Sequence, residues 1–566
     1  MAELKQKKYL GQMLVEEGII TREQLEDALA AQRETGQRLG DILKKRKLVT
    51  DTQIMRVLEK QLGVPYIDLD RITISPEMAS LLPVNIARRH KLVPVRNEGG
   101  RLQVAMEDPF SFLAIDDVRM VTHMEIQPLL AREDSILNAI EALYGNEYAE
   151  KAIEDFSRSQ SLDEIAAEAA AVDIGNEVGS APIVRLVNSL IEQAAREGAS
   201  DIHVEPAESS VRVRFRVDGK LHTELTVPKE AQSALITRIK IMSDMNIAEK
   251  RVPQDGRYEV VIGDHNIDLR VSTLPGVYGE KVVMRLLDRT NFLRPKSELG
   301  FTQENLTKFD ELLKNPNGII LVTGPTGSGK STTLYTMLSE LNSEADNIIT
   351  IEDPVEYLID GINQVQVNPK AGLTFATGLR SILRQDPDII MIGEIRDQET
   401  VDIAVRAAIT GHLVLSTIHT NDSASTISRL IDMGVESYML SSALVGVISQ
   451  RLVRRICPLC RQEYRPTAND LEFLGLPADS VETFYRGAGC GNCAETGYRG
   501  RIAVHEIMPI TRPLRDMIHR EAGVDEIRDY ASLHGMSSLK AEAVKLLRAG
   551  VTTIDEVVKI AYTQEE

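Results

Sequence analysis

The feature that most constrains this chain is a glycine-rich loop set between an apolar strand and a helical pattern. Gly318–Thr323 reads as a strand and leads directly into Gly324–Ser331, with the sequence GPTGSGKS. A helical pattern follows over Thr332–Leu341. This order is the context in which a Walker A loop binds phosphate, because glycines let backbone N–H groups turn towards the phosphate at a helix N-terminus. A glycine-rich turn without a ligand is the alternative, and the complete pattern disfavours it.

The residues of this loop have separate tasks. Lys330 can reach the β- and γ-phosphates, and the Ser331 hydroxyl can ligate Mg²⁺. We therefore predict that the chain binds ATP and magnesium and that Lys330 acts in catalysis. The residues predicted to contact the nucleotide are Gly324, Pro325, Thr326, Gly327, Ser328, Gly329, Lys330, Ser331 and Thr332.

Two acidic strand ends follow the loop. The apolar runs Asn347–Asp353 and Asp388–Glu394 both close on carboxylates, and they alternate with helical patterns. That alternation predicts a mainly parallel sheet flanked by helices. Ligands of such sheets lie at the carboxyl ends of the strands, so Glu394 and Glu352 are predicted to face Lys330 and orient water or Mg²⁺. A solvated turn or a helix cap is the alternative for either carboxylate.

Composition argues against other classes of protein. The formal net charge is −19, aromatic residues make up 4% and there is no Trp, which disfavours a nucleic-acid binder with a basic aromatic groove. The first residues carry no apolar segment typical of a secretory signal, and no apolar run is long enough for a membrane span. We therefore expect a cytoplasmic protein that reaches a membrane only by docking.

The four cysteines form two C-x-x-C pairs. They are Cys457 with Cys460 and Cys490 with Cys493, with 29 residues between the pairs. Each pair can place two thiolates on one tight turn, and two turns can close a tetrahedral shell for Zn²⁺. A redox pair is the alternative, but neither motif has a thioredoxin-like context. We predict a structural zinc site bound by all four cysteines, with the spacer folding as an excursion of its own.

Together these motifs resemble those of the secretion ATPase superfamily, in its type IV pilus assembly and type II secretion branch. The family's Walker A, Asp box, Walker B and His box are similar, in order, to Gly324–Ser331, Thr350–Glu356, Ile389–Asp397 and Thr410–Asp422. The resemblance covers nearly the whole chain. It implies a RecA-like ATPase core, preceded by a second α/β domain and assembled as a homo-hexamer.

The resemblance also assigns roles that the residues alone leave open. It implies that Glu394, in a Walker B strand ending in Gly-Glu, polarises the attacking water. It implies that Arg270 and Arg285 reach the γ-phosphate from the preceding domain, where a planar guanidinium suits the charge on the transferring group. It gives His412 and His419 a part in phosphate sensing or subunit communication, with His412 at the nucleotide and His419 among the catalytic residues. A solvated strand face for the arginines and a structural role for the histidines are the alternatives.

The predicted fold class is an α/β multidomain protein, with a RecA-like P-loop core, a smaller α/β domain before it, and a helical plus α/β domain at the N-terminus. The predicted domains are residues 1–145, with helices over 1–65; an acidic linker over 146–181; the arginine-supplying domain over 182–290; and the ATPase domain over 295–566, with its cysteine subdomain at about 455–500 and helices at its end.

The helical segment 1–65 repeats itself after 29 residues. Six positions recur: Leu10, Gly11, Leu14, Leu25, Leu29 and Gln32 as Leu39, Gly40, Leu43, Ile54, Leu58 and Gln61. The repeat resembles a tandem motif of some pilus and secretion ATPases, which implies cyclic di-GMP binding. The residues implied are Leu10, Gly11, Gln32, Arg38, Leu39, Gly40 and Gln61. Two departures from the motif, at Tyr9 and Lys47, leave a helical docking domain as the alternative.

In function, the resemblance implies an ATP-hydrolysing motor that extends a type IV pilus through an inner-membrane platform protein. It would dock with cytoplasmic and inner-membrane assembly proteins at the inner face of the cytoplasmic membrane. A type II secretion ATPase shares these motifs and is the first alternative. A DNA-uptake or conjugation ATPase is disfavoured by the acidic charge, and a nucleotide-gated scaffold without turnover by the presence of Lys330 and Glu394.

Overall fold

A computed structural model describes residues 10–35, 39–46, 48–72, 74–140, 143–144, 182–263, 265–288, 293–477 and 482–562. These residues form four β-sheets and the helices that pack on them. The predicted linker over 146–181 lies outside the described residues, as do Tyr9, Arg38 and Lys47 of the N-terminal repeat.

The N-terminal repeat folds as two pairs of helices. They are α1 Leu10–Glu16, α2 Arg22–Thr35, α3 Leu39–Lys45 and α4 Asp51–Leu62. Leu14 and its repeat partner Leu43 are both fully buried in the core between these helices. Thr50 caps α4 by accepting a bond from the Gln53 N–H, and Gly63 ends it in the left-handed conformation. The helical spacing read from the sequence is therefore confirmed.

A small α/β unit follows the repeat. Its elements are β1 Leu92–Glu98, β2 Arg101–Met106 and β3 Glu125–Leu130, with α5 Val84–His90 before them and α6 Phe112–Thr122 between β2 and β3. The β1 strand pairs antiparallel with β2, and β2 pairs parallel with β3 across the α6 crossover. This unit is the α/β part that the sequence predicts after the helices of the N-terminal domain.

The next domain is a six-stranded antiparallel sheet covered by two helices. Its elements are α7 Pro182–Arg196, β4 Ala199–Pro206, β5 Ser210–Val217, β6 Lys220–Pro228, α8 Gln232–Met242, β7 Gln254–Ile262, β8 His265–Gly276 and β9 Gly279–Asp288, in the sheet order β6-β5-β4-β9-β8-β7. Along β5, Val211, Val213 and Phe215 are fully buried. The arginines that alternate with them therefore share the opposite, polar face, as the period of two predicts.

The ATPase domain is built on a seven-stranded sheet in the order β12-β11-β13-β14-β10-β15-β18. The strands are β10 Gly318–Thr323, β11 Ile348–Glu352, β12 Asn363–Gln366, β13 Ile389–Ile392, β14 Leu413–Ile418, β15 Leu444–Ile456 and β18 Tyr498–Pro509. The helices are α9 Gln303–Leu313, α10 Lys330–Leu341, α11 Phe375–Ile382, α12 Gln398–Ile409, α13 Ser423–Asp432 and α14 Ser437–Ala443. All neighbouring strands are parallel except β15 and β18, so the mainly parallel sheet is confirmed.

The spacer between the cysteine pairs forms its own excursion, as predicted. It contains β16 Arg461–Tyr464, α15 Ala468–Phe473 and β17 Phe484–Gly487, with β16 and β17 paired antiparallel. Four helices end the chain: α16 Arg512–His519, α17 Val524–Leu533, α18 Leu539–Arg548 and α19 Ile554–Tyr562. Among the described residues, no helix combines the length and the apolar character that crossing a bilayer requires.

Candidate active site

The glycine-rich loop connects the end of β10 to the start of α10, in the context that the sequence predicts. Gly324 opens the loop with φ of +146°, and a side chain there would place its Cβ 2.5 Å from the Gln450 carbonyl oxygen and 2.6 Å from the Ser328 Oγ. Only glycine fits this position, because both the backbone angle and the available space exclude a Cβ atom. The loop thus passes tightly over the neighbouring strand β15.

Lys330 lies at the first position of α10 and is buried. Its Nζ donates to the carbonyl oxygens of Gly324 at 2.8 Å and Pro325 at 3.0 Å. Burial lowers the pKa of Lys330 to about 8, and the Glu394 carboxylate opposes that shift. The Glu394 carboxylate therefore lies near enough to Lys330 to favour its positive charge, as the two motifs require.

Gln450 on β15 holds the loop and the helix together. Its Nε2 donates to the Ser328 carbonyl oxygen at 2.7 Å, and its Oε1 accepts a bond from the Thr333 hydroxyl at 2.8 Å. The side chain is fully buried, so both bonds form away from water. Sequence reasoning missed this residue, because a single Gln near the middle of an apolar strand carries no recognisable motif.

Glu394 follows β13 and meets His419. Its carboxylate pairs with Arg396 and lies 3.6 Å from the His419 Nε2. The backbone beside it is fixed, since Gly393 donates to the Ile351 carbonyl oxygen at 2.8 Å and accepts from the Thr417 hydroxyl at 2.8 Å. The structure thus brings together three predicted residues, Lys330, Glu394 and His419. It also adds Arg396, which sequence reasoning missed.

Glu352 ends β11 but is committed to the protein interior. It is 3% exposed, and its Oε2 accepts a bond from the Tyr335 hydroxyl at 2.6 Å. Its Oε1 accepts from the Thr350 hydroxyl at 2.6 Å and from the Gln364 amide at 3.2 Å. Burial, followed by the bond to Glu352, raises the pKa of Tyr335. Glu352 ties α10 to β11 in this structure, so the geometry does not favour the predicted catalytic role.

Arg270 and Arg285 lie opposite each other on β8 and β9. Arg270 reaches across to the ATPase domain, where its NH1 donates to the Glu356 Oε1 at 3.3 Å. The Arg285 Nε donates to the buried Asp201 at 3.0 Å, and 62% of the Arg285 side chain is exposed. Among the described residues, neither guanidinium bonds to the glycine-rich loop. Arg270 nevertheless contacts the Asp box, which brings it to the ATPase domain.

His412 lies at the opposite edge of the sheet. It immediately precedes β14, and its backbone oxygen accepts a bond from Gly318 at the start of β10. Its ring Nδ1 bonds to the Ala407 carbonyl oxygen at 2.9 Å. Because β10 and β14 are parallel, a residue before β14 is one strand length from the loop that follows β10. The resemblance predicts that His412 lies at the nucleotide. In the structure it is instead one strand length away from the nucleotide loop of its own chain.

The four cysteine sulfurs converge on one point. All lie within 4.8 Å of one another, and the separations are 3.8 Å for Cys457–Cys490, 3.8 Å for Cys460–Cys493 and 3.7 Å for Cys490–Cys493. A tetrahedron with Zn–S bonds of about 2.3 Å has sulfurs about 3.8 Å apart. A disulfide needs about 2.05 Å, and all four thiols are free. The donor set and its spacing fit Zn²⁺.

The repeat residues are placed on matching helices. A Cβ on Gly11 would lie 2.5 Å from a methyl group of Leu25, and one on Gly40 would lie 3.5 Å from a methyl group of Ile54. Gly11 with Leu25 and Gly40 with Ile54 are equivalent in the two copies. The glycines thus serve close helix packing, while Leu10, Leu39, Gln32 and Gln61 are half-buried.

Two family models match the chain. The model described as Type II/IV secretion system protein matches residues 176–559, and the model described as MshEN domain matches residues 62–150. The second match begins where the helical repeat ends, so it covers the small α/β unit rather than the repeat.

Two curated relatives match over almost their full length. The chain is 44% identical over 570 residues to the Type IV pilus assembly ATPase PilB of Myxococcus xanthus, covering 97% of this chain and 98% of that protein. It is 42% identical over 562 residues to the Type II secretion system protein E of Xanthomonas campestris, covering 96% and 97%. Among solved structures, the ATPase DotB of Legionella pneumophila matches with a TM-score of 0.51 at 22% identity, over 66% of this chain and 95% of that one. The DotB match confirms the fold class, and the sequence matches confirm the resemblance.

We expect Lys330→Ala and Glu394→Gln to abolish ATP turnover for different reasons. Removing Lys330 deletes the cation at the phosphates, so nucleotide affinity should fall together with turnover. Glu394→Gln keeps the side-chain shape but cannot accept a proton from water, so ATP should still bind while turnover falls at least 100-fold. Steady-state phosphate release and fluorescent-nucleotide binding measure the two quantities. Glu352→Gln, which loses only interior bonds, is the control, and wild-type turnover in Glu394→Gln would contradict the role of Glu394.

Proposed function

The chain belongs to the type II/IV secretion system protein family and hydrolyses ATP, and from this we propose that it is the motor that assembles a type IV pilus. The observation that carries the proposal is the 44% identity to a pilus assembly ATPase across 97% of the chain, N-terminal repeat included. A type II secretion ATPase is the second candidate, favoured by the 42% identity to a protein E over a similar span.

The chemistry follows from the residues around the loop. Lys330 and the loop N–H groups bind the phosphates, and Ser331, exposed at the first turn of α10, would hold Mg²⁺, which neutralises phosphate charge when bound. Glu394 accepts a hydrogen bond from the attacking water, and Arg396 and His419 orient its carboxylate. Arg270 and Arg285 approach the γ-phosphate when the two domains move against each other, and their guanidinium groups stabilise the transition-state charge.

Domain motion would convert this hydrolysis into work. Arg270 of the six-stranded domain forms an ion pair with Glu356 of the ATPase domain. Loss of the γ-phosphate can therefore change the contact between the two domains. We propose that the motor acts as a homo-hexamer on an inner-membrane platform protein and on other assembly proteins, at the inner face of the cytoplasmic membrane. The family membership supports this assignment, since secretion ATPases are motors of membrane-associated machines.

Genetic complementation tests the filament. In a strain lacking the gene, the wild-type chain should restore surface pili, and Glu394→Gln should not, although it is expressed to the same level. Electron microscopy of the cell surface and an assay of secreted proteins are read side by side. If Glu394→Gln cells lack pili but secrete normally, the result supports pilus assembly. If they secrete poorly but carry normal pili, it favours the type II alternative. If neither pili nor secretion changes, both candidate functions are contradicted.

We propose that the cysteine cluster holds one structural Zn²⁺. The sulfur spacing fits a tetrahedral shell, and the backbone N–H groups of Cys490 and Gly497 donate to the Cys493 sulfur at 3.2 and 3.3 Å, which orients that sulfur. The site closes the excursion that contains β16 and β17. Among the described residues, none of the bonds made by the cysteine sulfurs involves the Walker A loop, which favours a role in folding rather than in hydrolysis.

Purified protein is accordingly expected to contain one zinc per chain by elemental analysis. Cys457→Ser and Cys490→Ser should lose the metal and should be cut by protease within the excursion, because structural zinc contributes to folding free energy. Lys330→Ala, far from the cysteines, should retain zinc at the wild-type level. Zinc-free protein prepared without chelators, with four freely titrating thiols, would contradict the assignment.

We also propose that the N-terminal repeat binds cyclic di-GMP. A ligand with two like halves suits a twofold repeat, and Gln32 and Gln61 take equivalent, half-buried positions at the ends of α2 and α4. The packing of Gly11 and Gly40 equally suits a helical docking domain. The repeat therefore supports both uses, and binding has to be measured.

Titration calorimetry of the full-length protein decides between these uses. Cyclic di-GMP should bind with micromolar or tighter affinity, and Arg38→Ala should weaken binding at least tenfold by removing a guanine partner. Arg22→Ala, in the same repeat but not among the residues implied in ligand binding, is the matched control. If wild-type protein shows no binding heat at high ligand concentration, the docking role alone stands.

A further inference from the structure

A second buried cation lies beside the glycine-rich loop. Arg451 is on β15, two residues beyond Ser449, which pairs with Thr323 at the end of β10. The strand therefore continues alongside the loop, and Arg451 NH1 would lie 3.1 Å from a Cβ on Gly324. Only 7% of this residue is exposed. Its guanidinium is thus packed under the first glycine of the phosphate-binding loop.

Among the residues that the structure describes, this guanidinium is held by two backbone carbonyl groups. NH2 donates to the Asn421 oxygen at 2.9 Å, and NH1 donates to the Gln450 oxygen at 3.2 Å. Among the described residues, no carboxylate lies within ion-pair distance of Arg451. A buried cation without a counter-charge is costly, because carbonyl dipoles replace its hydration only in part. Burial correspondingly lowers the pKa of Arg451.

The acidic groups in the neighbourhood are engaged elsewhere. Asp422 accepts bonds from Arg528 at 2.7 and 3.1 Å and caps α13 through the Ser425 N–H. Glu506 accepts a bond from the Ser423 N–H at 2.9 Å. Both carboxylates favour the charge on Arg451 from a distance, but neither forms an ion pair with it. The chain therefore leaves this charge without a direct anionic partner.

Lys330 is arranged in the same way. It too is buried, and it too donates to carbonyl groups, those of Gly324 and Pro325. Arg451 is near enough to contribute to lowering the pKa of Lys330, although burial is the larger cause. Two like charges held together under one loop repel each other, so an anion that contacts both is strongly favoured. The phosphates of the nucleotide are the anion that this loop is shaped to bind.

We propose that Arg451 is a second phosphate-binding cation of the same chain, separate from Arg270 and Arg285 of the preceding domain. Its guanidinium contacts the phosphate chain of the bound nucleotide, and a planar fork with several donors suits that contact. The buried Ser328 hydroxyl, which has no hydrogen-bond partner in this structure, lies on the same side of Gly324 and can share it. This inference rests on the proposed ATPase function and extends its binding site.

Nucleotide binding to Arg451→Gln and Arg451→Lys tests the proposal. Affinity for Mg²⁺-ADP and Mg²⁺-ATP should fall about tenfold in Arg451→Gln and about threefold in Arg451→Lys, which keeps the charge but loses the fork. The logarithm of Kd should also depend less on salt concentration in Arg451→Gln, because one charge contact is gone. The matched control is Arg454→Gln on the same strand. Arg454, whose side chain is 12% exposed, pairs with Glu556 at 2.8 Å, so its loss should lower Tm and leave affinity within twofold.

Affinity and salt dependence equal to wild type in Arg451→Gln would overturn the proposal, and a lower Tm without a change in affinity would reduce Arg451 to a structural residue. If Arg451→Gln does not fold, Arg451→Lys decides, and wild-type affinity there would overturn the assignment. Wild-type turnover is measured in the same preparation. If the wild-type protein shows no ATP turnover, the ATPase function itself is contradicted. If the wild type turns over ATP and Arg451→Gln binds nucleotide with wild-type affinity, only the role of Arg451 is contradicted.

Discussion

The active site depends on the parallel pairing of β10, β14 and β13. In this register Gly318 pairs with Leu413, and Leu413 pairs with Ile389, so the three strands begin together, and β13 ends two residues before β14. The segments that follow their carboxyl ends carry Lys330, His419 and Glu394. These residues lie close together because the carboxyl ends of parallel strands are on the same side of the sheet. The same pairing sends His412 to the other edge, because the six residues of β14 span about 20 Å.

Buried charge at this edge is balanced in two different ways. The Glu352 carboxylate accepts hydrogen bonds from three side chains, and these bonds connect α10 to β11. Lys330 and Arg451 instead rest on backbone carbonyls, which satisfy donors but carry no full negative charge. The loop region is therefore most stable with an anion present. Such a region stores electrostatic free energy for binding phosphate rather than for folding alone.

The parts beyond the ATPase sheet have cores of their own. The helical repeat, the small α/β unit and the six-stranded sheet each enclose a separate group of buried apolar residues. The Arg270–Glu356 pair between two of these units is polar, and such a contact can break and reform without exposing a core. That division suits a machine in which domains move against one another while each stays folded.

The sequence by itself determined the elements whose signal is local. The loop at Gly324–Ser331 needs glycine at fixed spacing, the four cysteines need only two tight turns, and the helical repeat is visible in its apolar period. Tertiary structure alone decided which strands are neighbours. It thereby decided the positions and hydrogen-bond partners of His412, Glu352, Gln450 and Arg451. A side chain that precedes a strand and one that follows it both adjoin apolar runs of similar composition, so sequence alone does not show which of them reaches the nucleotide. Only the register and the packing of β15 against β10 select the ones that reach the phosphates.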